Sequence, residues 1–213
     1  HVFRPFRSSG VSTSAWMASS SMLTKRMRPA FASISPRAPW SPLTACMGAE
    51  LQFGETTSWS VPTLHDWADT PRLKIDPDNV YLRTMQDMLK LALDVGRGKF
   101  VVGLTDIHPG ADLAASFRDP HQLCVDLIDS PEQVHALNKQ LFSTFFDLYE
   151  LQRKMMLDAG QTLTTAWLPL FVPDGRYYIP SCDFSIMIST AMFREFFLPE
   201  ILAEIEWLDR SIY

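Results

Sequence analysis

Two segments of this 213-residue chain hold side chains whose types and spacing could do chemistry. Asp106 and His108 form a D-x-H pair just beyond the apolar run Phe100-Val101-Val102-Gly103-Leu104. An imidazole titrates near neutrality, so the pair reads as a base with its partner or as two metal ligands. The bland alternative is a loop cap by Asp106 beside a solvent-facing imidazole. In the second segment Asp183 follows Arg176, Tyr177, Tyr178 and Cys182. Arg176 could clamp a carboxylate with its planar fork, or simply stand exposed. Trp167, Tyr177 and Tyr178 offer rigid faces for stacking on a sugar or planar ring, or they fill the core. With Asp106 and Asp183 as acid and base, the chemistry would be hydrolysis, for example of glycosides. That requires carboxyl groups about 5–10 Å apart.

The remaining reactive residues carry weaker patterns. His65, His121 and His135 read as structural. Cys124 lies on an apolar helical pattern, and Cys182 could be a nucleophile or zinc ligand only with a lowered thiol pKa. Cys46, Cys124 and Cys182 form no CxxC pair, which favours a reducing, cytoplasmic setting over a disulfide framework. The sequence contains no GxSxG, P-loop or GxGxxG, and so lacks the usual esterase, NTPase and dinucleotide signatures.

These candidates need elements to position them. Asp76-Pro77 reads as an N-cap with proline at the first helical position, and Leu82, Met85, Leu89, Ala92 and Leu93 carry the helix to Gly96 and Gly98. Phe100–Leu104, apolar without alternation, predicts a strand covered on both faces. Ser130-Pro131-Glu132-Gln133 predicts a capping box. The stripe Val134, Leu137, Leu141, Phe145, Leu148, Met155 and Met156 runs from there to Gly160, a helix of about 42 Å. Thr162–Leu168 predicts a second strand. A third helix starts after Ser189 or Thr190, is kinked or restarted by Pro199 and ends near Asp209-Arg210; Ser211-Ile212-Tyr213 opens another strand. Strand, helix, strand, helix, strand start is β/α alternation, which points to a parallel sheet or barrel. A complete eight-fold barrel needs about 250 residues, so the expectation is an α/β fold, a partial (β/α)8 barrel truncated at its C-terminus.

Charge divides the chain. Residues 1–49 hold six basic residues and no acid, whereas the remaining 164 hold 13 basic and 24 acidic. So acidic a body lacks the clustered Lys and Arg of a nucleic-acid binder. No apolar run is long enough to span a bilayer. Ten serines and five prolines precede residue 43 and interrupt any periodicity. Residues 1–45 are therefore expected to be an atypical or disordered basic segment, ahead of one domain over 46–213. The segment reads as an organelle leader, a solvated tail or a stretch translated out of frame.

From about Leu43 onward the chain resembles the uroporphyrinogen decarboxylase superfamily, in its uncharacterised and corrinoid-methyltransferase-like branches. The residues that carry this are Met47-Gly48-Ala49-Glu50-Leu51-Gln52-Phe53 and Gly103-Leu104-Thr105-Asp106-Ile107-His108-Pro109-Gly110. They continue in Leu127-Ile128-Asp129-Ser130-Pro131-Glu132-Gln133-Val134-His135 and Phe193-Arg194-Glu195-Phe196-Phe197-Leu198-Pro199-Glu200-Ile201. The resemblance implies a (β/α)8 barrel with its site at the C-terminal ends of the strands, and it brings the region of Asp183 toward a small-molecule substrate. It further implies methyl transfer to or from a corrinoid or thiol, with zinc or a corrinoid partner as cofactor. The arginine-bearing segment and the aspartate that precede Met47-Gly48 in the decarboxylases have no counterpart here. The zinc-binding His-x-Cys of the methyltransferases is absent too. Three functions are thus expected in turn: methyl transfer, hydrolysis through the loop carboxylates, or a non-catalytic remnant of the fold. An incomplete barrel leaves a sheet edge and apolar helix faces, so a homo-oligomer is expected to cover Met155, Met156, Phe193, Phe196 and Phe197.

Overall fold

The longest helix organises the protein, and its sequence pattern says why. Val134, Leu137, Leu141, Phe145 and Leu148 recur three or four positions apart and, with Tyr149 and Met156, are buried. One face of the helix is therefore largely apolar, with Asn138, Thr144 and Gln152 buried among them. In a computed structural model of the chain, residues 42–53, 55, 58–168 and 170–213 are described. The basic stretch up to residue 41, with its three readings, lies outside the described residues. In chain order the helices are α1 (Pro42–Cys46), α2 (Val80–Gly96), α3 (Gly110–Arg118), α4 (Pro120–Asp129), α5 (Pro131–Asp158), α6 (Thr190–Phe196) and α7 (Leu198–Trp207). Short 3-10 turns cover Trp67–Arg72 and Asp183–Met187. Helices α2, α3, α4 and α6 all pack on α5. Every residue of α1 is buried.

The strands are short: β1 (Leu51–Phe53), β2 (Ser58–Ser60), β3 (Leu163–Thr164), β4 (Val172–Pro173), β5 (Tyr177–Tyr178) and β6 (Arg210–Ser211). They form three two-stranded sheets, with β1–β2 and β3–β4 antiparallel and β5–β6 parallel. The protein is a helix-rich α/β molecule, and no closed barrel is found among the described residues. No helix is long and apolar enough to cross a membrane among them.

The expected strand at Phe100–Leu104 forms no ladder, for a visible reason. The Gln161 side-chain amide takes both the N–H and the C=O of Val102, each at 2.8 Å. One backbone bond, from Leu104 N–H to Thr165 O at 2.8 Å, is all that joins the run to the second expected strand. In that second run, Thr162–Leu168, only Leu163–Thr164 is a strand, and it pairs antiparallel with β4. Of the strand expected from Ser211 onward only Ser211 lies in β6, which runs parallel to β5.

Helix boundaries follow local chemistry. The start of α2 moves from Asp76-Pro77 to Asn79, whose Oδ1 accepts from the N–H groups of Tyr81 and Leu82. Asp76 instead caps a turn by accepting from Asp78 N–H. At the other end, a Cβ on Gly96 would meet the Phe100 ring at 2.7 Å, so any larger residue there would require that ring to shift. Helix α5 spans the expected range, but the capping box at Ser130 does not form. The Ser130 N–H that Gln133 would have bonded already donates to Asp126 O, because α4 abuts α5. Pro199 restarts the third helix, which is split into α6 and α7.

The apolar residues expected to need a partner chain pack into the core of this chain, two of them only partly. Met156, Phe196 and Phe197 are buried, and Met155 and Phe193 pack against the same core. In that core Tyr149 OH accepts from Tyr177 N–H at 2.9 Å and donates to Tyr177 O at 3.1 Å, which docks β5 on α5.

Candidate functional site

Extended backbone sets out the first part of the site. Along 105–108 the side chains alternate, with Thr105 and Ile107 buried and Asp106 and His108 directed to the other side. Two buried groups pin the segment. Gln152 Oε1 accepts from Thr105 N–H at 2.8 Å, and Ile107 N–H donates to Tyr178 OH. Tyr178 OH also donates toward Asp106 Oδ1, at 3.4 Å.

From that segment the chemistry is continuous. His108 Nε2 lies 2.7 Å from Asp106 Oδ1, and His108 Nδ1 lies 3.0 Å from Ser181 Oγ. Ser181 stands three residues past β5. In neutral His108 the Nε2–H donates to Asp106, which leaves the Nδ1 lone pair to accept the Ser181 proton. The His108 side chain is 16% exposed. Its burial alone would lower its pKa. The Asp106 hydrogen bond and charge, with the charges of Asp112 and Glu204, outweigh burial and raise it above the usual histidine value. The two side chains of the D-x-H pair are thus in direct contact, and the imidazole bridges Asp106 and Ser181.

Asp112, on α3, anchors the segment that carries Ser181. Its two oxygens accept from Asp183 N–H at 3.0 Å and Phe184 N–H at 2.8 Å. Burial raises the Asp112 carboxyl, opposed by those two bonds and the His108 charge. On the next side Glu200 and Glu204, one turn apart on α7, line a cavity of about 10 Å³ with Ser181 and Cys182. Glu200 Oε2 and Glu204 Oε1 have no hydrogen-bond partner among the described residues, and burial pushes both carboxyls up to about 8.

Other sequence candidates stand elsewhere. Asp183 contributes its backbone N–H to Asp112, but no contact joins its carboxylate to Asp106. Tyr177 and Tyr178 have fully buried rings and offer no open stacking face. Arg176 precedes β5, at the opposite end from Ser181. Its Nε donates to Glu150 Oε1 at 2.7 Å, and its guanidinium lies 4.7 Å over Trp207. Arg176 is thus held against α5 rather than poised as a clamp. Trp167 is 42% exposed on the turn after β3. Burial, with the Asp112 charge, pushes the Cys182 thiol up to about 12, so it is no thiolate at neutral pH. His135 stacks on Phe196 at 4.5 Å, and His121 lies 3.6 Å from Asp119. Neither approaches the relay. No group of three or more His, Cys, Asp or Glu side chains among the described residues is placed to hold a metal.

Sequence reasoning missed Ser181, Asp112, Glu200 and Glu204. The two glutamates had one legible signal, carboxylates four residues apart in the largely apolar helix Leu198–Trp207. Ser181 had none. No protein-family model and no curated protein matches this chain.

Proposed function

We propose that this chain is a hydrolase that cleaves an ester-type acyl bond with Ser181 as nucleophile, His108 as general base and Asp106 as the group that orients it. One observation carries the reading, the unbroken chain Asp106–His108–Ser181 with bonds of 2.7 and 3.0 Å. A serine hydroxyl is a weak nucleophile until a neighbouring base takes its proton, and that base works best when a third group orients it. Ser181 Oγ attacks the acyl carbon while its proton passes to His108 Nδ1. His108 then returns the proton to the leaving oxygen, which departs as the alcohol. Water, deprotonated by the same imidazole, then attacks the acyl-serine, and His108 returns that proton to Ser181 Oγ as the acid leaves.

The glycoside form of hydrolysis has less support, because Asp106 is committed to His108. Methyl transfer rests on the family resemblance alone. For the fold, we extend the proposal to a (β/α)8-type barrel of the decarboxylase-like kind. Its support is the parallel β5–β6 pair across α6 and α7, the Leu104–Thr165 bond, and a relay seated just past β5 and the Phe100–Leu104 run. Homo-oligomer formation stays part of the proposal, and light scattering of dilute protein tests it.

Short-chain p-nitrophenyl esters and a fluorophosphonate probe test the chemistry. The expected result is burst release of nitrophenol and a covalent adduct located by mass spectrometry on Ser181. Both should be lost in Ser181→Ala and His108→Ala. Ester turnover that survives Ser181→Ala unchanged would sink the relay, and a fold with no turnover at all would favour the non-catalytic reading.

A further inference from the structure

Strand β2, helix α3 and the 3-10 turn Asp183–Met187 border a cleft of about 450 Å³, a volume typical of small-molecule sites. Its walls are tied together. Ser60 Oγ donates to Ser116 O at 3.1 Å, joining β2 to α3, and Asp112 holds the turn to the same helix through two backbone N–H groups. The Trp59 indole is oriented across the hairpin by its Nε1–H, which donates to Gln52 Oε1 at 3.1 Å. Such a cleft is preformed, so little ordering is needed when something enters it.

The lining has one polarity. Trp59, Phe184 and Met187 supply apolar surface, with Trp59 47% and Met187 44% exposed. Asp112, Asp119 and Asp183 supply carboxylates, and no Lys, Arg or His lines the cleft among the described residues. The two oxygens of Asp112 are occupied by backbone, and Asp119 Oδ1 caps α4. The Asp183 side chain has no hydrogen bond or ion pair among the described residues and lines the same cleft as the Trp59 indole.

We propose that this cleft binds a small organic cation, an ammonium on an apolar ring or short chain, with the body against Trp59 and Met187 and the charge beside Asp183. A cation over an indole face is attracted by the ring quadrupole, and the carboxylate adds a second attraction. No residue of the Ser181 relay lines the cleft, so the inference stands apart from the hydrolytic reading.

Titration calorimetry at pH 7 with three probes of like shape tests it: 2-phenylethylammonium, 2-phenylethanol and 3-phenylpropionate. The ammonium is expected to bind about tenfold more tightly than the alcohol, and the carboxylate more weakly than either. Trp59→Ala and Asp183→Asn should each weaken the ammonium by about fivefold or more while thermal melting stays unchanged. Equal binding of the alcohol or the carboxylate would overturn the proposal. So would ammonium binding indifferent to both substitutions, or no ammonium binding at all.

Discussion

Asp106 and His108 sit two residues apart and close on each other, Oδ1 to Nε2, at 2.7 Å. Only extended backbone brings i and i+2 to one side, and Ile107 buried between them holds that geometry. The consequence is a histidine with a raised pKa whose far nitrogen faces Ser181. A base works deprotonated. Hydrolysis is therefore expected to rise with pH through a single limb whose midpoint lies above the ordinary histidine value of 6.5. Asp106→Asn removes the negative charge, and with it the charge-assisted bond, that raise His108, so its limb should move to lower pH while kcat falls. A pH–rate profile of both proteins checks this, and an unmoved limb would show that His108 is not the titrating base.

Glu204 gives a stability prediction of defined sign. Its folded pKa is raised from 4.5 to about 8, so the folded state holds a proton that the unfolded chain releases above 4.5. The stabilising contribution is whole below pH 4.5 and is lost as pH climbs toward 8. Glu200 and His108 act in the same direction. Stability should thus decline between pH 5 and pH 8, and Glu204→Gln should flatten the decline and raise stability at pH 8 by a few kcal/mol, roughly. Urea melts at pH 5, 7 and 8.5 measure it.

Arg118 and Asp126 form a buried pair that ties α3 to α4. Asp126 accepts from Nε at 2.6 Å and from Nη2 at 3.3 Å, while Nη1 donates to Leu64 O and His65 O and the guanidinium lies 4.5 Å over Trp67. Asp126→Ala leaves that guanidinium buried without its counter-charge, and should destabilise the protein by about 3–5 kcal/mol. A double-mutant cycle with Arg118→Met should show strong coupling in denaturant melts. Additive effects would mean that the pair does not hold α3 to α4.

Gln161 replaces a strand partner for Val102. Gln161→Met keeps the volume and leaves the buried N–H and C=O of Val102 without partners. A cost of about 2–4 kcal/mol is expected, since each unpaired buried group forfeits its solvation. Amide exchange at Val102 should quicken by a corresponding factor, and exchange at an unchanged rate would contradict the role given to Gln161.

Periodicity made α2, α5 and the α6–α7 pair legible, but not α1 or α3. The stripe Val134 to Met156 specifies α5, and Ser189 and Pro199 punctuate α6 and α7, because these signals act over three or four residues of the same segment. The D-x-H pair was legible for the same reason, its two members being neighbours in sequence. Strand pairing was not legible. An apolar run such as Phe100–Leu104 reports burial on both faces but not what satisfies its backbone, and here a glutamine side chain from 59 residues away does so. Ser181, 73 residues from His108, became part of a site only when β5 docked on α5 through Tyr149 and Tyr177. Local sequence sets torsions and faces. Which distant side chains then meet is decided by packing, whose contacts leave no spacing to read.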